Sequence, residues 1–76
     1  MSQEDIGKRI AFFRKKNNIT QEQLGEKLCV SSKTISKWER SVSSPDILSI
    51  IKLSKILNIS ITELLTGKKK KIERIN

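Results

Sequence analysis

The chain has 76 residues, with 16 Lys and Arg against 8 Asp and Glu and no His, a formal charge of +8. That length holds one small domain, and 36% apolar residues supply one core, mostly from twelve Ile and seven Leu. One Cys excludes an internal disulfide, the lack of His leaves no zinc set, and three widely spaced Gly form no phosphate-cradling loop.

Helical spacing runs through the chain. Ile6, Ile10 and Phe13 follow an i, i+4, i+7 stripe that predicts a first helix, stopped at Asn17-Asn18 because Asn tolerates the left-handed C-cap. Thr20 opens a second helix. Its hydroxyl and the Gln23 side chain are spaced for a reciprocal capping box, with Leu24 and Leu28 inward. Ser31 opens a third, with Ile35 and Trp38 inward and Lys33 and Lys37 outward. The Ser41-Val42-Ser43-Ser44 loop leads to Pro45, which fits the first turn of a fourth helix running to about Leu57. Asn58 ends it, Ser60 caps a short fifth helix over Ile61–Leu65, and Gly67 closes that. The expectation is an all-α bundle of five helices with connections of two to six residues. Residues 1–67 form the domain and 68–76 a basic tail.

Charge is uneven along this plan. Residues 1–18 carry +3, 31–44 carry +2 and the tail carries +4, whereas 45–67 is neutral and oily. One end is suited to a polyanion and the other to apolar burial.

Residues 20–40 carry the strongest signal. Two helices of eight or nine residues separated only by Cys29-Val30-Ser31 must meet at a sharp angle, as in a helix-turn-helix. Gly25 supplies a small residue at the crossing, which explains a glycine that costs about 1 kcal/mol inside a helix. The outer face of the third helix offers Ser32, Lys33, Ser36 and Lys37, all able to donate to base edges. From periodicity alone this face fits an ordinary solvated surface equally well.

The stretches IGKRIAFFRKKNNITQEQLGEKL, VSSKTISKWER and SPDILSIIKLSKILNISITELL resemble the Cro/C1-type (lambda-repressor-like, Xre) helix-turn-helix family over residues 6–65. The resemblance implies a five-helix bundle that binds operator DNA, usually as a dimer. It implies base contacts from Ser32, Lys33, Ser36 and Lys37. It makes Gln21 a phosphate ligand at the start of the second helix, where free N–H groups also suit an anion. Thr20, Arg40, Ser41, Ser43 and Ser44 are further expected phosphate contacts. Arg14 and Glu39 match a pair that forms an interior salt bridge in relatives.

Two positions depart from the family. Cys29 stands where the turn usually has Gly, so the turn is either strained or reshaped. Ser41-Val42-Ser43 replaces a loop that usually carries Gly and a basic residue, so contacts there are expected from backbone N–H groups and Ser hydroxyls.

Blander readings stand beside these. Trp38 continues the Ile35 face and is read as core, and Cys29 is read as inert rather than a redox switch. Lys68–Lys71 fit a solubilising end or a phosphate-tracking arm. Phe12, Leu48 and Ile56 fit buried edges of the bundle. Leu48 nevertheless falls off the stripe set by Ile47, Ile50, Ile51 and Leu57. Leu48, Ile51, Asn58, Ile59 and Ile61 are therefore expected at a twofold interface that places two reading helices one DNA turn apart, roughly 34–36 Å.

The expected function is a sequence-specific DNA-binding transcription regulator, a repressor acting by operator occupancy because nothing beyond residue 67 could hold an effector. A homodimer on double-stranded operator DNA is the expected assembly, in the cytoplasm, with no metal, cofactor or membrane. The rival is an antitoxin or anti-repressor type of interaction module that covers a protein partner with its oily side. An enzyme is the least favoured class, since no acid–base pair or nucleophile–base set is visible.

Overall fold

Four helices begin where a hydroxyl or carboxylate oxygen accepts a backbone N–H three residues on. Thr20 accepts from Gln23 at 3.0 Å, Ser31 from Thr34 at 3.2 Å, Asp46 from Ser49 at 3.3 Å and Ser60 from Glu63 at 2.9 Å. The computed structural model describes residues 4–68, arranged as α1 (Glu4–Lys16), α2 (Gln21–Leu28), α3 (Ser32–Glu39), α4 (Ile47–Leu57) and α5 (Ile61–Thr66). There is no strand among the described residues. None of these helices is long and apolar enough to cross a membrane. The expected basic tail lies outside the described residues, apart from Lys68.

Helix ends use the left-handed region. Asn18 (φ 60°), Cys29 (φ 62°), Asn58 (φ 63°) and Gly67 (φ 80°) follow α1, α2, α4 and α5. Helix α3 ends differently, with Arg40 at φ −94° and Ser41 taking the positive angle, 62°.

Two expectations at α4 are corrected. Pro45 is buried and precedes the N-cap, Asp46, rather than entering the first turn. The Asp46 carboxylate can satisfy a free helix N–H, which Pro45 cannot, so the helix starts at Ile47, two residues later than that placement implies. The α3–α4 connection accordingly spans 40–46, one residue beyond the expected range.

The core draws on every helix: Ile10; Leu24 and Leu28; Ile35 and Trp38; Ile50, Leu53 and Leu57; Leu64. Each fully buried aliphatic side chain contributes about 1.5–3 kcal/mol. Trp38 is thus core, as read. Ile47 is not: it is 61% exposed, and Leu48 is 64% exposed beside it. The inward stripe of α4 is Ile50, Leu53, Ser54 and Leu57, because the helix begins at Ile47 and its first turn overhangs the core. Phe12, at 59% exposed, is likewise no buried edge, whereas Ile56 is half-buried.

Polar ties fix α1 against the rest. Arg9 donates from Nε to the Leu64 carbonyl (2.6 Å) and from Nη2 to that of Leu65 (2.7 Å), capping the end of α5. Asn17 Nδ2 donates to the carbonyls of Phe13 (2.7 Å) and Leu57 (3.1 Å), joining the ends of α1 and α4. Gly7 is buried where α1 meets the end of α3, and a Cβ there would collide with the Trp38 carbonyl oxygen.

Candidate nucleic-acid interface

The turn between α2 and α3 is built by three features. Cys29 adopts the left-handed conformation, so the turn keeps the usual geometry with a strained residue rather than a reshaped path. Its N–H donates to the Glu26 carbonyl (3.2 Å), and that of Val30 to the Gly25 carbonyl (2.9 Å). Gly25 lies against the turn itself, since an added Cβ would stand 2.6 Å from the Val30 carbonyl oxygen. At the start of α2 both halves of the Thr20–Gln23 capping box are present. That box uses the N–H groups of Thr20 and Gln23, leaving those of Gln21 and Glu22 without a helical partner.

The angle so fixed sets Ser32, Ser36 and Arg40 in one line along α3, with Lys33 and Lys37 beside them. Lys33, Lys37 and Arg40 are exposed, and Ser32 and Ser36 are half-buried. Arg40 Nε donates to Ser36 Oγ at 3.0 Å, so this arginine lies back along the α3 face and not against the following loop.

Behind that face stands Glu39. Its Oε2 accepts from Arg14 Nε (2.6 Å) and its Oε1 from Arg14 Nη2 (3.1 Å) and Gln21 Nε2 (2.9 Å). The Arg14 and Glu39 side chains are only 11% and 8% exposed. Arg14 Nη1 also reaches the Ile19 carbonyl at 2.9 Å, so one guanidinium joins α1, the α1–α2 connection and α3. This is the only ion pair among the described residues, and it removes the one acidic group on α3 from the outer face. One Gln21 N–H is held by the carboxylate, which leaves the second for another acceptor.

The 41–44 loop departs from expectation. The N–H groups of Val42 and Ser43 both donate to the Lys37 carbonyl (2.8 and 3.4 Å), and that of Ser41 to the Trp38 carbonyl (3.1 Å). They close the end of α3, whose carbonyls need donors, so these amides are not open to a phosphate. What the loop offers outward is the exposed Ser43 and Ser44 hydroxyls, with Ser41 also at the surface.

Residues 10–64 match the helix-turn-helix family. The chain belongs to the Cro/C1-type branch of that family. It is 40% identical over 63 residues to the HTH-type transcriptional activator BcrR of Enterococcus faecalis, covering 83% of this chain and 31% of BcrR. It is 42% identical over 67 residues to Repressor protein C2 of Salmonella phage P22, covering 88% of this chain and 31% of C2. The chain thus spans about a third of the length of these two relatives. The crystal structure of the P22 c2 repressor with synthetic operator 9T superposes with a TM-score of 0.79 at 43% identity, covering 83% of this chain and 96% of that one. The fold is therefore the lambda-repressor-like bundle.

Within the family frame, the expected site residues fall into two groups. Thr20, Gln21, Ser32, Lys33, Ser36, Lys37 and Arg40 belong to the start of α2 and to one arc of α3, joined through Glu39. The expected dimer residues are less unified. Leu48 and the half-buried Ile51 sit in the first half of α4, whereas Asn58, Ile59 and Ile61 lie past its end, with Asn58 about 15 Å from Leu48 along the axis. At that far end, Phe13, Lys16, Asn17, Leu57, Asn58 and Ile59 line a shallow groove of about 220 Å³.

Proposed function

We propose that this chain is a sequence-specific DNA-binding transcription regulator whose α3 enters the major groove. One observation carries the reading most directly. The two lysines of α3 and Arg40 at its C-cap are exposed, while the helix's only carboxylate is turned away and held by Arg14 and Gln21. Lys33, Lys37 and the Ser32 and Ser36 hydroxyls then contact base edges, and Thr20, Gln21 and the Ser41, Ser43 and Ser44 hydroxyls contact phosphates. Arg40 works from the α3 face, toward either. The family likeness to a repressor solved with its operator supports the same docking.

The role is that of a binding protein, not a catalyst, and its place is the cytoplasm where DNA is. Repression by occupancy is the simplest outcome for a domain that covers a site. One similar protein is an activator and another a repressor, so the sign of regulation belongs to this proposal. Two copies bind one operator, meeting at the Asn58–Ile61 end of α4 beside the groove, with residues 68–76 adding phosphate contacts. Exposed Ile47 and Leu48 at the other end of α4 favour a second reading, in which the domain also meets a protein partner.

The test is an equilibrium titration of the full chain against a duplex selected from random sequence and against its scrambled counterpart. A specific site should bind at least about 1,000-fold more tightly, as a 2:1 complex. Equal affinities would remove the proposal.

A further inference from the structure

The hydrogen-bond polarity of the α3 face limits which bases it can read. A Lys ammonium has three donors and no acceptor, and a guanidinium has five donors and no acceptor. Lys33, Lys37 and Arg40 therefore cannot accept from any base. Ser36 could do either, and accepting from Arg40 Nε at 3.0 Å occupies one of the two lone pairs of its Oγ. That contact leaves the hydroxyl hydrogen to point away from Arg40, free to donate. An amino group approaching Ser36 would also meet the field of a guanidinium in direct contact and of Lys33 and Lys37 within one turn. The one acceptor-only group of α3, Glu39, is removed by Arg14 and Gln21. Ser32 retains a free choice, and the remaining lone pair of Ser36 is disfavoured as an acceptor by the cations around it.

From this we infer that the half-site read by α3 is defined by guanines. The inference rests on the DNA-reading proposal above and narrows it. Guanine presents two acceptors, N7 and O6, to the major groove. Adenine pairs its N7 with an amino donor, thymine has one acceptor beside a methyl, and cytosine offers only an amino group. A face dominated by donors is best matched by the base that presents two acceptors and no donor. Spacing follows from the helix: Lys33 and Lys37 are four residues apart, about 6 Å along the axis. The base step is about 3.4 Å, so the two lysines reach bases one or two steps apart. The half-site then holds two guanines that are adjacent or separated by one base pair, with Ser36 donating to an acceptor between or beside them.

The experiment is a selection by the full chain from random duplex DNA, followed by titration of the selected duplex with single guanines replaced by 7-deazaguanine. That base keeps pairing and O6 but carries C–H in place of the N7 acceptor. The expected result is a half-site with two guanines at that spacing and a loss of roughly 5- to 150-fold at each one replaced. Inosine at the same positions, which alters only the minor-groove edge, should bind within a few-fold of guanine. A specific half-site built from A·T pairs alone, or unchanged affinity for the 7-deazaguanine duplexes, overturns the inference and leaves DNA reading standing. Failure to select any preferred duplex overturns both.

Discussion

Gln21 Nε2 lies 2.9 Å from Glu39 Oε1, on the same carboxylate that Arg14 grips through two nitrogens. The first residue of α2 and the last of α3 are thus joined through a group that α1 holds in place. The angle between the two helices of the reading unit is set from behind as well as by the turn.

Breaking this network from one side should be expensive. Glu39→Gln leaves the Arg14 guanidinium largely buried without its counter-charge, and a loss of about 3–5 kcal/mol is expected in urea denaturation. Replacing both partners with Met should recover much of that loss, since no lone charge remains. Equal losses for the single and double variants would contradict this role.

The turn holds a removable strain. Cys29 has φ 62° and is exposed, so Cys29→Gly relieves the left-handed penalty while losing little packing. The penalty of about 1–2 kcal/mol is partly offset by the larger chain entropy of unfolded Gly. A net gain of about 0.5–1 kcal/mol is expected in the same denaturation assay, with DNA affinity unchanged.

Gly7 should resist even the smallest addition. Its Cβ position falls on the Trp38 carbonyl, a backbone atom at the end of α3 that cannot swing aside. Gly7→Ala is expected to lower stability by roughly 1–3 kcal/mol, although Ala is the better helix former. Loss of DNA affinity should accompany it, because α1 would be levered away from α3.

Much of this architecture is legible in the residues. The capping box at Thr20, the Ser31 and Ser60 caps, the left-handed stops and the three-residue turn are local, and each follows from side chains within four positions. What the sequence hides is distant in the chain. Arg9 caps carbonyls 55 and 56 residues away, and Asn17 reaches the Leu57 carbonyl 40 residues on. Both residues look like ordinary surface positions of an amphipathic helix. Ile47 misleads for a related reason: periodicity gives the phase of a stripe but not where the core ends beneath it. On the candidate site, outward Lys33 and Lys37 could be read directly. The Arg40–Ser36 contact was readable only as an i, i+4 spacing, and the turning of the loop amides onto the Lys37 carbonyl left no signal.

Acid should loosen the start of α4. Hydrogen bonding from Ser49 to the Asp46 carboxylate holds its pKa below the usual 3.8. The folded value lies below the unfolded one, so this stabilising contribution is complete above about pH 4 and is lost as pH falls through the folded value. Thermal midpoints measured from neutral pH to about pH 3 should fall more steeply for the native chain than for Asp46→Asn, which retains an N-cap acceptor that does not titrate.

Salt will separate readers from anchors. A tail replacement such as Lys70→Ala should weaken binding to all duplexes alike and reduce the slope of log affinity against log salt by about 0.9 if one phosphate contact is lost. Fluorescence anisotropy at three or four salt concentrations measures this.

Whether α3 reads bases is decided by a paired selection. The native chain and Lys37→Ala are each used to enrich binding sites from the same random duplex pool. The variant's preferred site should lose preference at one base pair of each half-site, with affinity lower by about 1–3 kcal/mol and the remaining positions retained. An unaltered site preference would contradict it, because Lys37 would then be touching no base.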